Sequence, residues 1–283
     1  MLARLAQQQY SNLEIIVSDN HSSAPEVPAV LSAALAQDDR IRCLRQPRNI
    51  GQFENFRAVL AAAQGEYFCW VADDDDRDPS YITRCVAVLA RSPQVLLVNS
   101  QSQLVDPTTQ QLLRQDMGCT TLGLGPSQRY RRYLSTIFTA QAGVGDLIYG
   151  VMRRSAVLAA MPSQSVLPWD HLLLAKLALL GEFYTIPEPL MTSAAGGASR
   201  SNASAAEALL LVDSFAAHHP WWARELQLQA IVWDTTVLSL REKVQLSQWS
   251  YGHYLRAFGC TGIARHQLAP LHGLYRRWRY GPG

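Results

Sequence analysis

The apolar run Tyr67 to Ala72 ends in four consecutive carboxylates, Asp73 to Asp76, and Arg77, Asp78 and Pro79 follow. The run reads as a buried strand, and the charges and proline behind it stop that strand. Four Asp side chains at a strand end repel one another unless a cation or several N–H donors stand among them. Hard divalent cations take oxygen ligands, so Mg²⁺ or Mn²⁺ is the natural partner of such a run. A solvated acidic turn capping the next helix accounts for it equally well, because Asp is favoured in turns and at helix N-caps. The rest of the chain has to decide between the two.

A chain of 283 residues suffices for one large α/β domain, alone or with a helical appendage. A hydrophobic fraction of 48% against 17% charged residues supports a buried core and argues against disorder. The net charge of +2 gives no global basic field that would draw nucleic acid. The charge is uneven, however. After Glu242 there is no acidic residue, while Lys243, Arg256, Arg265, Arg276, Arg277 and Arg279 follow. Such a basic end fits a membrane surface or an acidic partner, although a solvated helical end is the commoner outcome for spread-out arginines. The five cysteines (Cys43, Cys69, Cys85, Cys119 and Cys260) show neither CxxC nor zinc spacing and read as buried thiols of a reducing compartment. With no apolar stretch of membrane-spanning length and no signal-peptide core, a cytoplasmic location is expected, with peripheral membrane contact through the basic C-terminus.

The patterning alternates. Leu13 to Ser18 reads as a β-branched strand, apolar on both faces, that runs into the polar turn Asp19 to Ser23. Open α/β sheets place ligands just past such strand ends, although Asp19 by itself is more commonly a helix N-cap. A helix is predicted over Val27 to Gln37, a strand over Ile41 to Arg45, a loop over Gln46 to Gly51 and a helix over Phe53 to Ala63. Beyond the aspartates come a helix at Tyr81 to Arg91, a strand at Val95 to Ser100 and a strand and turn over 103–110. Residues 110–130 are weakly patterned and read as a flexible loop. Tyr130 to Phe138 reads as a helix, and Asp146 to Arg154 as a strand entering another. A helix over Leu172 to Leu180 is closed by Gly181; Phe183 to Ile186 is a short strand, and Pro187 to Leu190 its turn. Ala194 to Ser204 reads as a hinge loop, and a helical, basic extension follows, with a helix over Leu226 to Lys243. The alternation predicts an α/β fold with a doubly wound sheet. The division expected is 1–200 for the α/β domain and 201–283 for a helical, basic C-terminal extension.

Asp19 ends one strand, Asp73 to Asp76 end another, and Asp170 opens a helix about a hundred residues on. A doubly wound sheet brings strand ends to one edge. One carboxylate for a base or sugar, a pair for a metal-bound diphosphate and a separate general base form a coherent transferase set.

Four stretches then carry a resemblance. They are Asn12 to Ser23; Arg48-Asn49-Ile50-Gly51; Gly65 to Pro79; and Asp170 to Leu174 with Gly181 and Ile186 to Leu190. In order and spacing the chain resembles the family 2 nucleotide-sugar glycosyltransferases of the GT-A type, over about residues 1–200. The resemblance implies a GT-A-like, doubly wound mixed sheet with a Rossmann-like nucleotide-binding half. It also implies an inverting, hexosyltransferase-type reaction from a UDP-, GDP- or dTDP-sugar to a saccharide, polysaccharide or lipid-linked hydroxyl, as in cell envelope polysaccharide biosynthesis. By resemblance Asp19 contacts the base or ribose, and Arg48, Asn49 and Gly51 form the loop near the donor. Asp73 to Asp75 match the DxD motif, with Asp75 the foremost ligand of Mg²⁺ or Mn²⁺, Asp73 joining it, and Asp73 or Asp74 on the ribose. The four-residue run leaves that register open by one. Asp170 matches the catalytic base. Trp169 is an acceptor-sugar platform or core, and His171 reads as helix-face structure.

The family opens with an apolar strand that this sequence does not carry, so a start upstream of Met1 is expected. The competing alternative is a non-catalytic remnant or binding module that keeps the fold. A nucleotidyltransferase would want a Gly-rich phosphate loop with Lys or Arg near the N-terminus, and none is present.

Overall fold

The computed structural model describes residues 2–72, 75–138, 144–163, 168–194 and 220–256. Helix α1 (Leu2–Ala6) leads into β1 (Ile15–Asp19), α2 (Val27–Gln37), β2 (Ile41–Arg45) and α3 (Gln52–Ala62). Then come β3 (Tyr67–Phe68), β4 (Asp76–Arg77), α4 (Tyr81–Arg91), β5 (Val95–Val105), β6 (Leu112–Asp116) and α5 (Pro126–Phe138). A 3-10 turn (Val144–Tyr149) precedes β7 (Val151–Arg153), α6 (Arg154–Ala160), α7 (Trp169–Leu180) and β8 (Glu182–Ala194). Helix α8 (Pro220–Asp234) and helix α9 (240–256) close the described chain.

Strands β1 and β2 pair in parallel, from Ile15 opposite Ile41 to Asp19 opposite Arg45. The other strands form a mixed sheet in the order β3-β7-β5-β8-β4, with β6 hairpinned onto β5. Strands β5 and β8 are parallel at its centre and the remaining pairs are antiparallel.

Helix α7 explains the layering. Trp169, Leu172 to Ala175 and Leu177 to Leu179 are all buried, so it has no solvent stripe and must be covered on every side. It packs with Leu97, Phe183, Tyr130, Tyr133 and Leu134, and with Leu228 and Val232 of α8 and Leu246 of α9. The C-terminal helices thus share one core with the sheet. A second core lies under α4, where Tyr81, Ile82, Cys85 and Leu89 meet Val95, Val98 and Val151. Leu5, Ile15 and Ile41 form a third, smaller one. Cys43, Cys69, Cys85 and Cys119 are unbridged, the last two buried.

Several elements differ from the sequence expectations. The run Tyr67 to Ala72 is strand only at Tyr67–Phe68, because Trp70 turns into the core and its Nε1 donates to the Phe56 carbonyl at 3.1 Å. The two strands expected over 95–106 are one, β5. Residues 110–130 are not a loop. They contain β6 and the start of α5, joined by a segment pinned to β8: Thr121 N–H donates to the Phe183 carbonyl at 2.9 Å, and Cys119 N–H to Thr185 Oγ1 at 3.0 Å. Gly118 there has φ +70°, and a Cβ would stand 2.4 Å from Thr185, so only glycine fits. Pro187 to Leu190 is not a chain-reversing turn but a bulge within β8, held out on the surface where Glu188 pairs with Arg84.

The helix expected over 226–243 breaks after Asp234. Ser239 and Glu242 form a capping box that restarts it: Ser239 N–H donates to Glu242 Oε2 at 2.9 Å, and Glu242 N–H to Ser239 Oγ at 3.4 Å. The expected hinge over 194–204, apart from Ala194 at the end of β8, and the basic residues beyond Arg256 lie outside the described residues.

Candidate functional site

Asp19 is the last residue of β1 and is 5% exposed. Its Oδ1 accepts the Ser22 N–H at 2.8 Å, and Arg45 Nε lies 3.6 Å from Oδ2 across the β1–β2 ladder. The Ser22 bonds hold its carboxyl below the usual value against the opposing effect of burial, with Arg45 and His21 adding to them. The strand end thus presents a fixed, ionised acceptor.

The next loop is locked to this one by two asparagines. Asn20 Nδ2 donates to Asn49 Oδ1, and Asn20 Oδ1 accepts the Ile50 N–H, both at 2.9 Å. Asn49 Oδ1 also accepts the Gly51 N–H at 2.9 Å. Gly51 sits at φ 81° as the N-cap of α3, a backbone that side-chain-bearing residues rarely adopt. Arg48 is exposed beside it. Below, Ser18 Oγ donates to Asn55 Oδ1 at 2.6 Å, tying β1 to α3. Asn20, Ser18 and Asn55 were not singled out from the sequence. Asn20 stood inside the quoted motif, but nothing in its spacing to Asn49 announced the pairing.

In the acidic run, Asp73 and Asp74 lie outside the described residues. Asp75 is 8% exposed. Asp76 belongs to β4, opposite Thr192, and forms a surface ion pair with Arg4 at 3.4 Å. Arg77 follows, 4% exposed. Its Nη2 donates to the Trp70 carbonyl at 3.1 Å and the Tyr149 carbonyl at 3.3 Å, so it clamps the base of the loop that carries the aspartates. Its guanidinium also stands 5.6 Å over the Tyr81 ring and shares the interior with Asp75 and Cys69. Among the described residues no three His, Cys, Asp or Glu side chains are placed to hold a metal. A cation carrying a diphosphate and waters needs only one or two carboxylates, and Asp75 fits that donor set.

Asp170 lies in the first turn of α7, half-buried, behind Pro168 at the N-cap. It is therefore not the N-cap residue, and its carboxylate stands in a turn whose N–H groups favour negative charge. Trp169 is 4% exposed and packs edge-on against Phe53, Phe56 and Trp70, with centroids at 5.5, 5.1 and 5.9 Å. It is core, which removes the acceptor-platform alternative. His171 is half-buried, with Nδ1 3.4 Å from Arg224 Nη1. Burial holds its imidazole below the ordinary value; Asp170 opposes this and Arg224 adds to it.

These contacts assemble the motifs. Phe53 stands two residues after Gly51, Trp70 three before Asp73 and Trp169 one before Asp170. All three meet in one aromatic cluster, and the Asn20–Asn49 lock adds the Asp19 loop to it.

Comparison with known proteins agrees. The model of the family described as glycosyl transferase family 2 matches residues 1–152, more than half of the chain. A protein of Sinorhizobium fredii named y4gI is 29% identical over 98 residues, which make up 35% of this chain and 11% of the relative. An uncharacterised glycosyltransferase of Haemophilus influenzae is 27% identical over 104 residues, 37% of this chain and 32% of the relative. The chain thus matches only a tenth to a third of the length of those two relatives. Among solved structures, S. aureus TarS 1–349 with UDP-GlcNAc superposes with a TM-score of 0.63 at 14% identity, covering 90% of this chain and 68% of that one. The same protein with UDP gives 0.65 at 13%, covering 96% and 72%. At such identities the likeness concerns the fold, which is the GT-A fold. The chain belongs to glycosyl transferase family 2.

Proposed function

We propose that this chain moves a sugar from a nucleotide-diphosphate sugar (UDP-, GDP- or dTDP-linked) to a hydroxyl of a saccharide or lipid-linked acceptor, with inversion at the anomeric carbon. The observation that carries the proposal is the convergence of the Gly51, Asp75 and Asp170 segments on the aromatic cluster of Phe53, Trp70 and Trp169. The TarS structures hold UDP-GlcNAc and UDP in the same fold, which supports a nucleotide-sugar donor.

In this mechanism Asp19 receives the nucleoside, and the Asn49–Gly51 loop walls the donor. Asp75, with Asp73, would hold Mg²⁺ or Mn²⁺, which would supply positive charge against the diphosphate leaving group. Asp170 accepts the proton of the acceptor hydroxyl as that oxygen attacks from the face opposite the leaving group. One displacement with a single base gives inversion. Arg77, by closing the loop between Trp70 and β4, keeps Asp75 in place.

Among the described residues no helix is long and apolar enough to cross a membrane. The acid-free, arginine-bearing end beyond Glu242 supports peripheral contact with an anionic membrane, in keeping with cytoplasmic assembly of an envelope polysaccharide.

The test incubates the full gene product with UDP-, GDP- and dTDP-sugars and Mn²⁺, following donor binding by calorimetry and nucleoside diphosphate release. Binding together with release, at least as slow donor hydrolysis, is expected. A protein that neither binds nor turns over any of them is a non-catalytic remnant, and the proposal fails.

A further inference from the structure

Helices α8 and α9 lie beyond both the family match and the sequence motifs, yet they bring charge to the neighbourhood of Asp170. Arg224 and Glu225 are consecutive on α8, 2% and 0% exposed. Burying two such groups is costly unless each is bonded, and apolar residues of similar size would pack as well. Glu225 is satisfied: Ser250 Oγ of α9 lies 3.0 and 3.2 Å from its two oxygens, and Gln229 Nε2 lies 2.7 Å away. Arg224 stacks 4.9 Å over the Trp221 ring and points Nη1 at His171 Nδ1, 3.4 Å away. Leu228 and Val232 already bury the apolar face of α8, so docking alone does not call for this pair.

The chemistry of the contact assigns the tautomer. A guanidinium only donates, so the nitrogen facing it carries no proton. His171 is therefore neutral, with its proton on Nε2. The titratable and charged groups packed around this contact are Asp170 on α7, Tyr130 and Tyr133 on α5, Arg224 and Glu225 on α8 and Tyr254 on α9. Tyr133 also donates to the His171 carbonyl at 3.4 Å, which fixes the backbone of the turn. His171 carries the imidazole, the side chain whose ordinary value lies nearest neutral pH, and it adjoins Asp170.

We infer that Arg224 is a positioning residue for the transfer reaction: it turns His171 Nδ1 towards α8, keeps a cation from forming beside Asp170, and so leaves that carboxylate to take the acceptor's proton. The inference rests on Asp170 being the base. A protonated His171 would compete for the same carboxylate. The C-terminal helices then contribute to the reaction and not only to stability.

The test uses the full chain labelled with ¹⁵N-histidine, the His171 signal being identified by its loss in His171→Gln. The wild-type protein is expected to show neutral His171 with the proton on Nε2 at neutral pH. In Arg224→Met its titration midpoint rises by about one pH unit, since a neighbouring cation is lost. The acid limb of kcat rises with it, kcat at mildly acidic pH falls about tenfold, and the donor KM stays within about twofold. Arg224→Lys keeps the charge on the same helix and shifts both limbs less. A purely structural role lowers kcat equally at every pH and leaves the midpoint in place. A wild-type His171 that is cationic or protonated on Nδ1 at neutral pH overturns the inference whether or not the variants fold. Unmoved spectra in an enzyme that needs Asp170 sink this inference alone, whereas transfer surviving Asp170→Asn sinks the base assignment itself.

Discussion

Trp70 and Trp169 meet edge to face, with ring centroids 5.9 Å apart and planes at 77°. The contact joins the approach to the aspartate run to the first turn of α7, and Phe53 and Phe56 complete it from α3. Edge-on aromatic pairs add modestly to the burial that drives them, and their geometry fixes direction as well as distance. The interior thus sets how these segments stand to one another.

Removing the ring at the centre of that cluster should loosen the whole site. Trp169→Ala is expected to lose about 3–5 kcal/mol of stability, the usual cost of truncating a buried large aromatic. Urea unfolding reads the loss. A change under about 1 kcal/mol would mean that the cluster does not hold α7 in place.

Asp170→Asn keeps shape and polarity but cannot accept a proton. Sugar transfer should fall by about two to four orders of magnitude, the range for loss of a general base. Calorimetry should find donor binding as in the wild type. Transfer at the wild-type rate would place the base elsewhere.

Asp75→Ala is expected to abolish transfer, together with its response to Mn²⁺ and to chelators, because the carboxylate proposed to hold the cation is gone. Thermal shift with and without Mn²⁺ plus nucleoside diphosphate gives a second readout. Stabilisation by that pair that persists in the variant would assign the cation to other residues.

Asp146, in the 3-10 turn, accepts the Ser102 hydroxyl. Burial pushes its carboxyl above the usual range, and nearby Asp116, itself raised by burial, pushes it further. Across the raised window the folded state holds more protons than the unfolded chain, so this contribution to stability is full below the unfolded value and is lost as pH rises through the folded one. Asp146→Asn should therefore gain melting temperature over wild type progressively as pH rises above the ordinary carboxylate value of about 4. Calorimetric scans across that range check it. A difference independent of pH would contradict the assigned cause.

Several positions of the candidate site were legible because their signals are short and local. Asp19 ends a β-branched strand, and Gly51 stands where a loop needs positive φ; each follows from a few adjacent residues. The capping box of Ser239 and Glu242 was equally local and stood in the sequence as Ser-Leu-Arg-Glu. Residues 110–130 failed as a loop because β6 owes its pairing to β5 rather than to any pattern of its own, and because Gly118 is required by Thr185, 67 positions away. Trp169 could not be placed from the chain, since an aromatic beside a carboxylate suits a sugar platform and a core equally.

What the amino-acid order determined by itself was the set of elements and the carboxylates at their ends, because hydrophobic period, turn chemistry and strand length act over a few residues. Tertiary structure decided which segments meet at the aromatic cluster, that Asp76 lies in β4 and pairs with Arg4, and that Arg224 of α8 reaches His171. Those relations join residues far apart in the chain. Close packing of buried aromatic rings and the need of a buried arginine for a partner create them only once the chain has folded.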